Sequence, residues 1–347
     1  YDTLYRYKYL ARPYELVPNV AAAMPTVSDD GLTYTIPLKT GVRFIDDPAF
    51  TDGKGRELTA HDVVYSLKRH FDPDKASQGR WLWDGRIVGL NDWMAAGADY
   101  DAEVAGLRAL DDHTLQVRLT APFPQFVNTL AQGFSAIVPH EAVTAYGEGL
   151  GTRAVGSGPW KLDQYGREQV RFTRNPNFRQ EPLDLAYEGY DEAVHGHLGI
   201  APLDGKPSPF VDELWIDFIQ ESAARWASFT SGREIQLSGL PVEQTDIVLA
   251  SKDPVTLKPE YAERYHFDTG PEAGLVFTNF NMADPLIGQV DDPEQNAKNR
   301  ALRCAMRDAF DWQQRNERFY SGLGDVFPGV IPPILEEFDP DLSRDSV

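Results

Sequence analysis

In Ala154-Val155-Gly156-Ser157-Gly158-Pro159-Trp160-Lys161, the element that comes directly after the glycines decides how much of this chain can be a nucleotide-binding fold. A phosphate-cradling loop needs a helix at that point, because the free N–H groups and the dipole of the helix hold the anion. Here Trp160-Lys161-Leu162 and Val170-Arg171-Phe172-Thr173 flank the turn-prone stretch 163–169, a pattern that predicts a β-hairpin. The glycines and Pro159 therefore read as a tight entry into that hairpin, and Lys161 carries no special chemistry.

Upstream, Asp29-Asp30-Gly31 turns the chain into the β-prone run Thr33-Tyr34-Thr35-Ile36. Pro37 has no N–H to give a ladder, so this strand lies at an edge or ends there. In the stretch 57–71, Thr59 can cap a helix and Asp62 favours its positive end. Val63, Val64, Leu67 and Phe71 then recur at helical spacing, with Lys68 and Arg69 near the favourable C-terminal end. Alternation on both sides of Asp111-Asp112 predicts a second hairpin, and two proline-opened stretches, 124–131 and 139–146, predict helices. Residues from about 25 to 145 thus carry their own strands and helices.

Downstream, residues 181–209 are rich in Gly, Pro and acidic side chains and read as a long connection. A strand follows over 213–219, then a helix that Ser222 caps and Gly232 stops. A β-prone run occupies 274–282. After a polar connection, Leu302, Ala305, Met306, Ala309 and Phe310 recur as a buried helical stripe that ends at Gly322. A chain of 347 residues exceeds what one core fills, so two or more lobes are expected.

Composition sharpens this by exclusion. A hydrophobic fraction of 42% with 25% charged residues suits a compact globular chain. The net charge of −20 opposes attraction to nucleic-acid phosphates or anionic lipid. Cys304 is the single cysteine, so no intrachain disulfide, four-cysteine zinc site or dithiol motif can form, and it reads as a small core hydrophobe. No apolar run of about 18 residues exists to span a membrane. The opening Tyr1–Leu10 has neither the basic nor the apolar part of a signal peptide.

Chemistry-bearing motifs are sparse. His195 and His197, near Asp191 and Glu192, suit a strand face or loop but fall short of a full metal-ligand set, so neither a metal nor a cofactor is assigned. His140-Glu141 lacks the second histidine of a zinc-protease helix, and no G-x-S-x-G elbow presents a serine, so no catalytic residue is assigned. The aromatics are more suggestive. Trp81 and Trp83 stand with Trp93 in a stretch rich in Gly, Asp and Asn, and tryptophan gives a cleft apolar area with one N–H donor.

The ordered segments 12–21, 28–44, 57–69, 155–165, 174–178, 278–282 and 299–311 resemble those of the extracellular solute-binding proteins of family 5, the oligopeptide- and dipeptide-binding components of ABC importers. The resemblance implies an α/β, periplasmic-binding-protein type II fold with two hinged lobes and an inserted smaller α+β domain. Residues 1–22 and 146–270 would form the first lobe, 23–145 the inserted domain and 271–347 the start of the second lobe. It further implies a periplasmic or extracellular monomer that captures a peptide or similar extended solute and delivers it to membrane permease subunits, with any membrane anchor in a segment preceding Tyr1. On this basis Asp2, Trp81, Trp83, Phe280 and Asn281 are the expected ligand-binding residues. Measured against the resemblance the chain reads as truncated at its C-terminus, with contacts to the ligand's charged ends beyond residue 347 and weak binding by the chain alone. It also departs from the acidic Gly-Glu-x-Asp pattern of relatives, having Gly232-Arg233-Glu234-Ile235-Gln236. A competing reading is a hydrolase acting on an extended peptide or oligosaccharide in the same cleft.

Overall fold

A computed structural model describes residues 1–75, 77–270, 274–335 and 337–343. The chain forms two compact units, Tyr1–Phe218 and Ile219–Val347.

In the first unit, β1 (Tyr5–Tyr7) and β2 (Leu16–Pro18) pair antiparallel. A four-stranded antiparallel sheet is built from β3 (Thr26–Val27), β4 (Thr33–Pro37), β5 (Leu107–Asp111) and β6 (Thr114–Arg118), in the order β3-β4-β6-β5. The β4 strand is interior, and Pro37 ends it, where the missing N–H costs the ladder least. Alternation sets the register. Ile36 faces Leu115 and Tyr34 faces Val117, and all four side chains are buried on the same side of the sheet.

Against that face packs α1 (Ala60–Arg69), which touches β5 and β6. Its start is a full capping box: the Thr59 side chain takes the N–H of Asp62, and the Asp62 carboxylate takes the Thr59 N–H at 2.9 Å. Val63, Leu67 and Phe71 enter the core with Phe44, Leu58, Trp83 and Phe126, as the helical spacing predicts. The shorter helices α2 (Leu90–Ala95), α3 (Phe126–Thr129) and α4 (His140–Tyr146) close this core.

The glycine run leads into β7 (Trp160–Tyr165) and β8 (Gln169–Arg174), the hairpin expected from sequence. After the turns and the short α5 (Glu192–His195) of the long connection, β9 (Glu213–Asp217) adds to β8. Arg171 at the centre pins all three strands, pairing with Asp163 at 3.2 Å and Glu213 at 2.6 Å while its guanidinium lies over the Trp215 ring.

The second unit contains α6 (Ser222–Thr230), α7 (Val242–Val248), the β10 (Leu249–Lys252) and β11 (Val255–Leu257) hairpin, α8 (Pro259–Ala262), α9 (Pro293–Ala309) and α10 (Trp312–Tyr320). Five expectations change here. Glu221, not Ser222, holds the capping position of α6, and Ser222 is already helical. The β-prone 274–282 forms no strand over its described residues, because a strand needs a neighbour to accept its ladder and none pairs with it. The stripe Leu302, Ala305, Met306, Ala309 and Phe310 is exposed rather than buried, and Cys304 is only half-buried. The residue that α9 buries instead is Asn299, whose amide donates to the Pro285 and Gly288 carbonyls at 3.0 Å each, with Arg303 donating to Ile287 beside it. The helix also breaks at Phe310, after which Asp311 caps α10 by accepting from the Gln314 N–H at 2.8 Å. Gly232 and Gly322, at φ of 80° and 73°, follow α6 and α10 in the left-handed conformation that glycine accepts without strain.

Thr59→Ala is expected to destabilise the first unit by about 1 kcal/mol and Trp83→Ala by about 3–5 kcal/mol. Urea unfolding curves of the two variants rank them, and the reverse ranking would contradict this packing of the core.

Candidate functional site

The start of the chain lies against the glycine run, and the fit explains the glycines. A Cβ on Gly156 would come within 2.9 Å of the Tyr1 ring, and one on Gly158 within 3.3 Å of the Tyr1 carbonyl oxygen. Between them Ser157 donates its hydroxyl to the Asp2 carboxylate at 2.9 Å. Arg179, brought back 177 residues later in sequence, donates to the same Asp2 oxygen at 2.7 Å and to the Asn19 side-chain carbonyl at 2.6 Å. Asn19 in turn donates to the other Asp2 oxygen at 3.3 Å. Arg179 also pairs with Glu181 at 3.2 Å, and Glu181 pairs with Lys39 at 2.6 Å, so charges alternate along the row.

Burial alone would raise the Asp2 carboxyl, but the Arg179 charge and the bonds from Arg179, Ser157 and Asn19 outweigh it and hold it below the usual range. A folded-state value below the unfolded one means that the stabilisation is full at neutral pH. It is lost as pH falls from the unfolded carboxylate range through the lower folded value.

A second anchor ties the long connection to the first hairpin. Glu188 is buried, accepts both terminal nitrogens of Arg6 and the Tyr9 N–H, and offers its own carbonyl to the Leu10 and Ala11 N–H groups at 3.1 and 3.0 Å. Burial opposes its ionisation, yet Arg6 and the Tyr9 N–H keep the carboxyl below its ordinary value.

A shallow cavity of about 320 Å³ beside α1 is lined by Arg56, Thr59, His61, Asp62, Tyr65 and His140. Arg56 there makes five hydrogen bonds, to Glu141, Asp62 and the Glu57 carbonyl, which uses every N–H of its guanidinium. Arg56 therefore has no N–H left to offer an anion in this cavity.

The expected ligand residues separate accordingly. Asp2 is enclosed by protein partners. Trp83 has 0% of its surface exposed and its indole N–H donates to Thr129 Oγ1 at 3.0 Å, so it is a core residue with no face for a ligand. Both placements have one cause: burial satisfied by partners distant in sequence, which local composition does not reveal. Trp81, two positions earlier, is 67% exposed. In the second unit Phe280 is half-buried and Asn281 is exposed, with the Asn281 side chain accepting the Ala283 N–H at 3.1 Å in a local turn. Sequence reading missed Arg179, Asn19 and Glu188, although the charges in 174–181 overlap one of the segments that carry the family resemblance.

Among the described residues no group of three or more His, Cys, Asp or Glu is placed to hold a metal, and no helix is long and apolar enough to cross a membrane. His195 accepts the Asp191 N–H at 3.0 Å, which places it as a turn residue.

The model for bacterial extracellular solute-binding proteins, family 5 Middle, matches residues 15–346. A glutathione-binding protein, GsiB, of Salmonella choleraesuis (strain SC-B67) is 32% identical over 320 residues, which is 92% of this chain and 48% of that protein. The chain thus spans about half the length of the curated relatives it matches. In fold it is similar to the ABC transporter-associated periplasmic binding protein DppA from Helicobacter pylori in complex with peptide STSA, with TM-score 0.67 and 19% identity over 99% of this chain and 57% of that one. Haemophilus influenzae OppA in complex with RPPGFSPFR gives TM-score 0.52 and 21% identity over 71% of this chain and 41% of that one. These likenesses are to periplasmic peptide-binding proteins of the type II α/β fold.

Asp2→Asn leaves buried Arg179 with only the half-exposed Glu181 as a countercharge and is expected to destabilise the protein by roughly 3 kcal/mol at pH 7. The wild-type protein should lose this increment below about pH 4, so acid titrations monitored by circular dichroism should converge for the two proteins. A constant gap down to about pH 2 would contradict the ion pair.

Proposed function

Because the chain belongs to the bacterial extracellular solute-binding proteins of family 5, we propose that it serves as the substrate-binding part of an ABC importer, capturing a peptide or similarly extended solute. The observation that carries this reading is the family match over 15–346 together with a likeness of fold that extends over 99% of the chain. Short peptides are the proposed ligand class, with glutathione included because the relative GsiB is a glutathione-binding protein.

In this proposal residues 1–22 and 146–270 contribute the first lobe, 23–145 the inserted domain and 271–347 the start of the second lobe. The solute stabilises a closed arrangement by touching both lobes, which shifts an equilibrium that already exists in the free protein. Trp81 supplies an aromatic wall from the inserted domain, and Phe280 with Asn281 contributes from the second lobe. Asp2 and Trp83 act beneath the surface, holding the segments that carry the contacts. The protein works as a monomer outside the cytoplasm, releases its solute unchanged and hands it to permease subunits.

Calorimetry with reduced glutathione and with trialanine, alongside mass spectrometry of solute that co-purifies with the protein, tests the proposal. Recovered short peptides and a complex that yields no product support binding. Turnover of either peptide would instead favour the hydrolase. Trp81→Ala is expected to weaken peptide affinity about tenfold without changing the folded fraction, the loss typical of one aromatic anchor.

A further inference from the structure

Trp81 is presented by residues 77–83, and this stretch is fastened at both ends. At one end Trp83 is buried and donates to Thr129 Oγ1, which passes its own hydrogen to the Phe126 carbonyl at 2.6 Å. At the other end stands His70, the residue after α1. Its Nε2 lies 2.6 Å from the Phe134 carbonyl oxygen and its Nδ1 lies 2.5 Å from Ser77 Oγ. Ser77 Oγ also accepts the Gly79 N–H at 3.1 Å. Gly79 rests against Phe134 so closely that a Cβ there would come within 2.7 Å of the ring. The His70 ring itself packs 5.2 Å from that of Trp83, joining the two fastenings.

We infer that His70 is a positioning residue whose neutral imidazole latches the Trp81 loop onto the turn at 133–135, an inference that rests on Trp81 facing the ligand. A carbonyl only accepts, so the proton of the neutral ring sits on Nε2, and Nδ1 accepts the Ser77 hydroxyl. The Ser77 oxygen is then free to take the Gly79 N–H. Every donor in the set meets an acceptor, and three chain segments are joined through one ring.

Protonation rearranges this pattern. A hydrogen on Nδ1 faces Ser77 Oγ, which must then turn its own hydrogen away and accept from two donors. The segments packed on the ring offer it the Ser77 hydroxyl, the Phe134 carbonyl and the Trp83 ring, all neutral, while Arg69 next to it in sequence repels a second positive charge. Burial, opposed by the Phe134 carbonyl and aided by Arg69, holds the imidazole below its ordinary value of 6.5. Since the folded value is the lower one, the latch is at full strength above the unfolded value. It weakens as pH falls from there through the folded value.

Hydrogen-exchange mass spectrometry at pH 7.5 tests the latch on the intact chain. His70→Ala should speed exchange in 77–83 about tenfold or more while amides of 60–69 keep their protection. His70→Gln, which retains a donor for the Phe134 carbonyl, should restore part of the protection. Unchanged exchange in His70→Ala, or no rescue by His70→Gln, overturns the latch. The difference in tryptophan emission between the wild-type protein and Trp81→Phe should shift as pH is lowered from 7.5 through the folded value of the imidazole, and the same difference taken on the His70→Gln background should not. Persistence of the shift in that background overturns the protonation step.

Calorimetry with glutathione and trialanine at pH 7.5 separates the latch from the ligand reading. Weakening by both His70→Ala and Trp81→Ala supports the inference whole. If Trp81→Ala leaves affinity unchanged, Trp81 is not a ligand contact and the inference fails at that premise, whatever the exchange data say of the loop.

Discussion

The buried pair of Asp2 and Arg179 joins the first residues of the chain to the segment that follows the β7–β8 hairpin, and much else is arranged to permit it. Taking two charges out of water costs several kcal/mol per ion, so the pair persists only where further bonds satisfy both groups. Ser157 and Asn19 supply those bonds on the Asp2 side, and on the Arg179 side Asn19 supplies a bond and Glu181 a nearby opposite charge. The Asp2 carbonyl also accepts the Ile137 N–H at 3.0 Å, which draws the α3–α4 region to the same point. Glycine at 156 and 158 lets Tyr1 approach this closely, because a Cβ would come within 2.9 Å of its ring at 156 and press on its carbonyl oxygen at 3.3 Å at 158.

Local interactions explain what could be read in advance. The α1 helix announces itself within four residues through its capping box, and both hairpins follow from alternation on either side of a turn. Their stabilising contacts lie close in sequence, so pattern and structure carry the same information. The core of the first unit follows from the same patterns, as Ile36, Leu67 and Leu115 illustrate.

Non-local partners explain what could not. Periodicity marks Leu302 and Met306 as one face of a helix, but only a neighbouring element can bury a face, and α9 sets Asn299 and Arg303 against the 285–288 turn instead. Trp81 and Trp83 look alike in sequence. They diverge because a 3-10 turn over Arg80–Leu82 sends one ring outward and the other toward Thr129. Asp2 pairs with Arg179, which lies beyond the reach of any local motif.

The same distinction bears on recognition. A buried polar group already satisfied by protein has nothing to gain from a solute, and displacing its partner would leave a charge or donor unpaired. Asp2, Arg56, Glu188 and the Trp83 indole are all in that position. Their work is to fix backbone segments, which lowers the entropy lost when a ligand meets a prearranged surface. In the proposed function, contacts with a solute fall to side chains that the frame presents but does not consume, and Trp81 is the clearest of these in the first unit among the residues singled out from sequence: a large exposed ring on a stretch of backbone held at both ends.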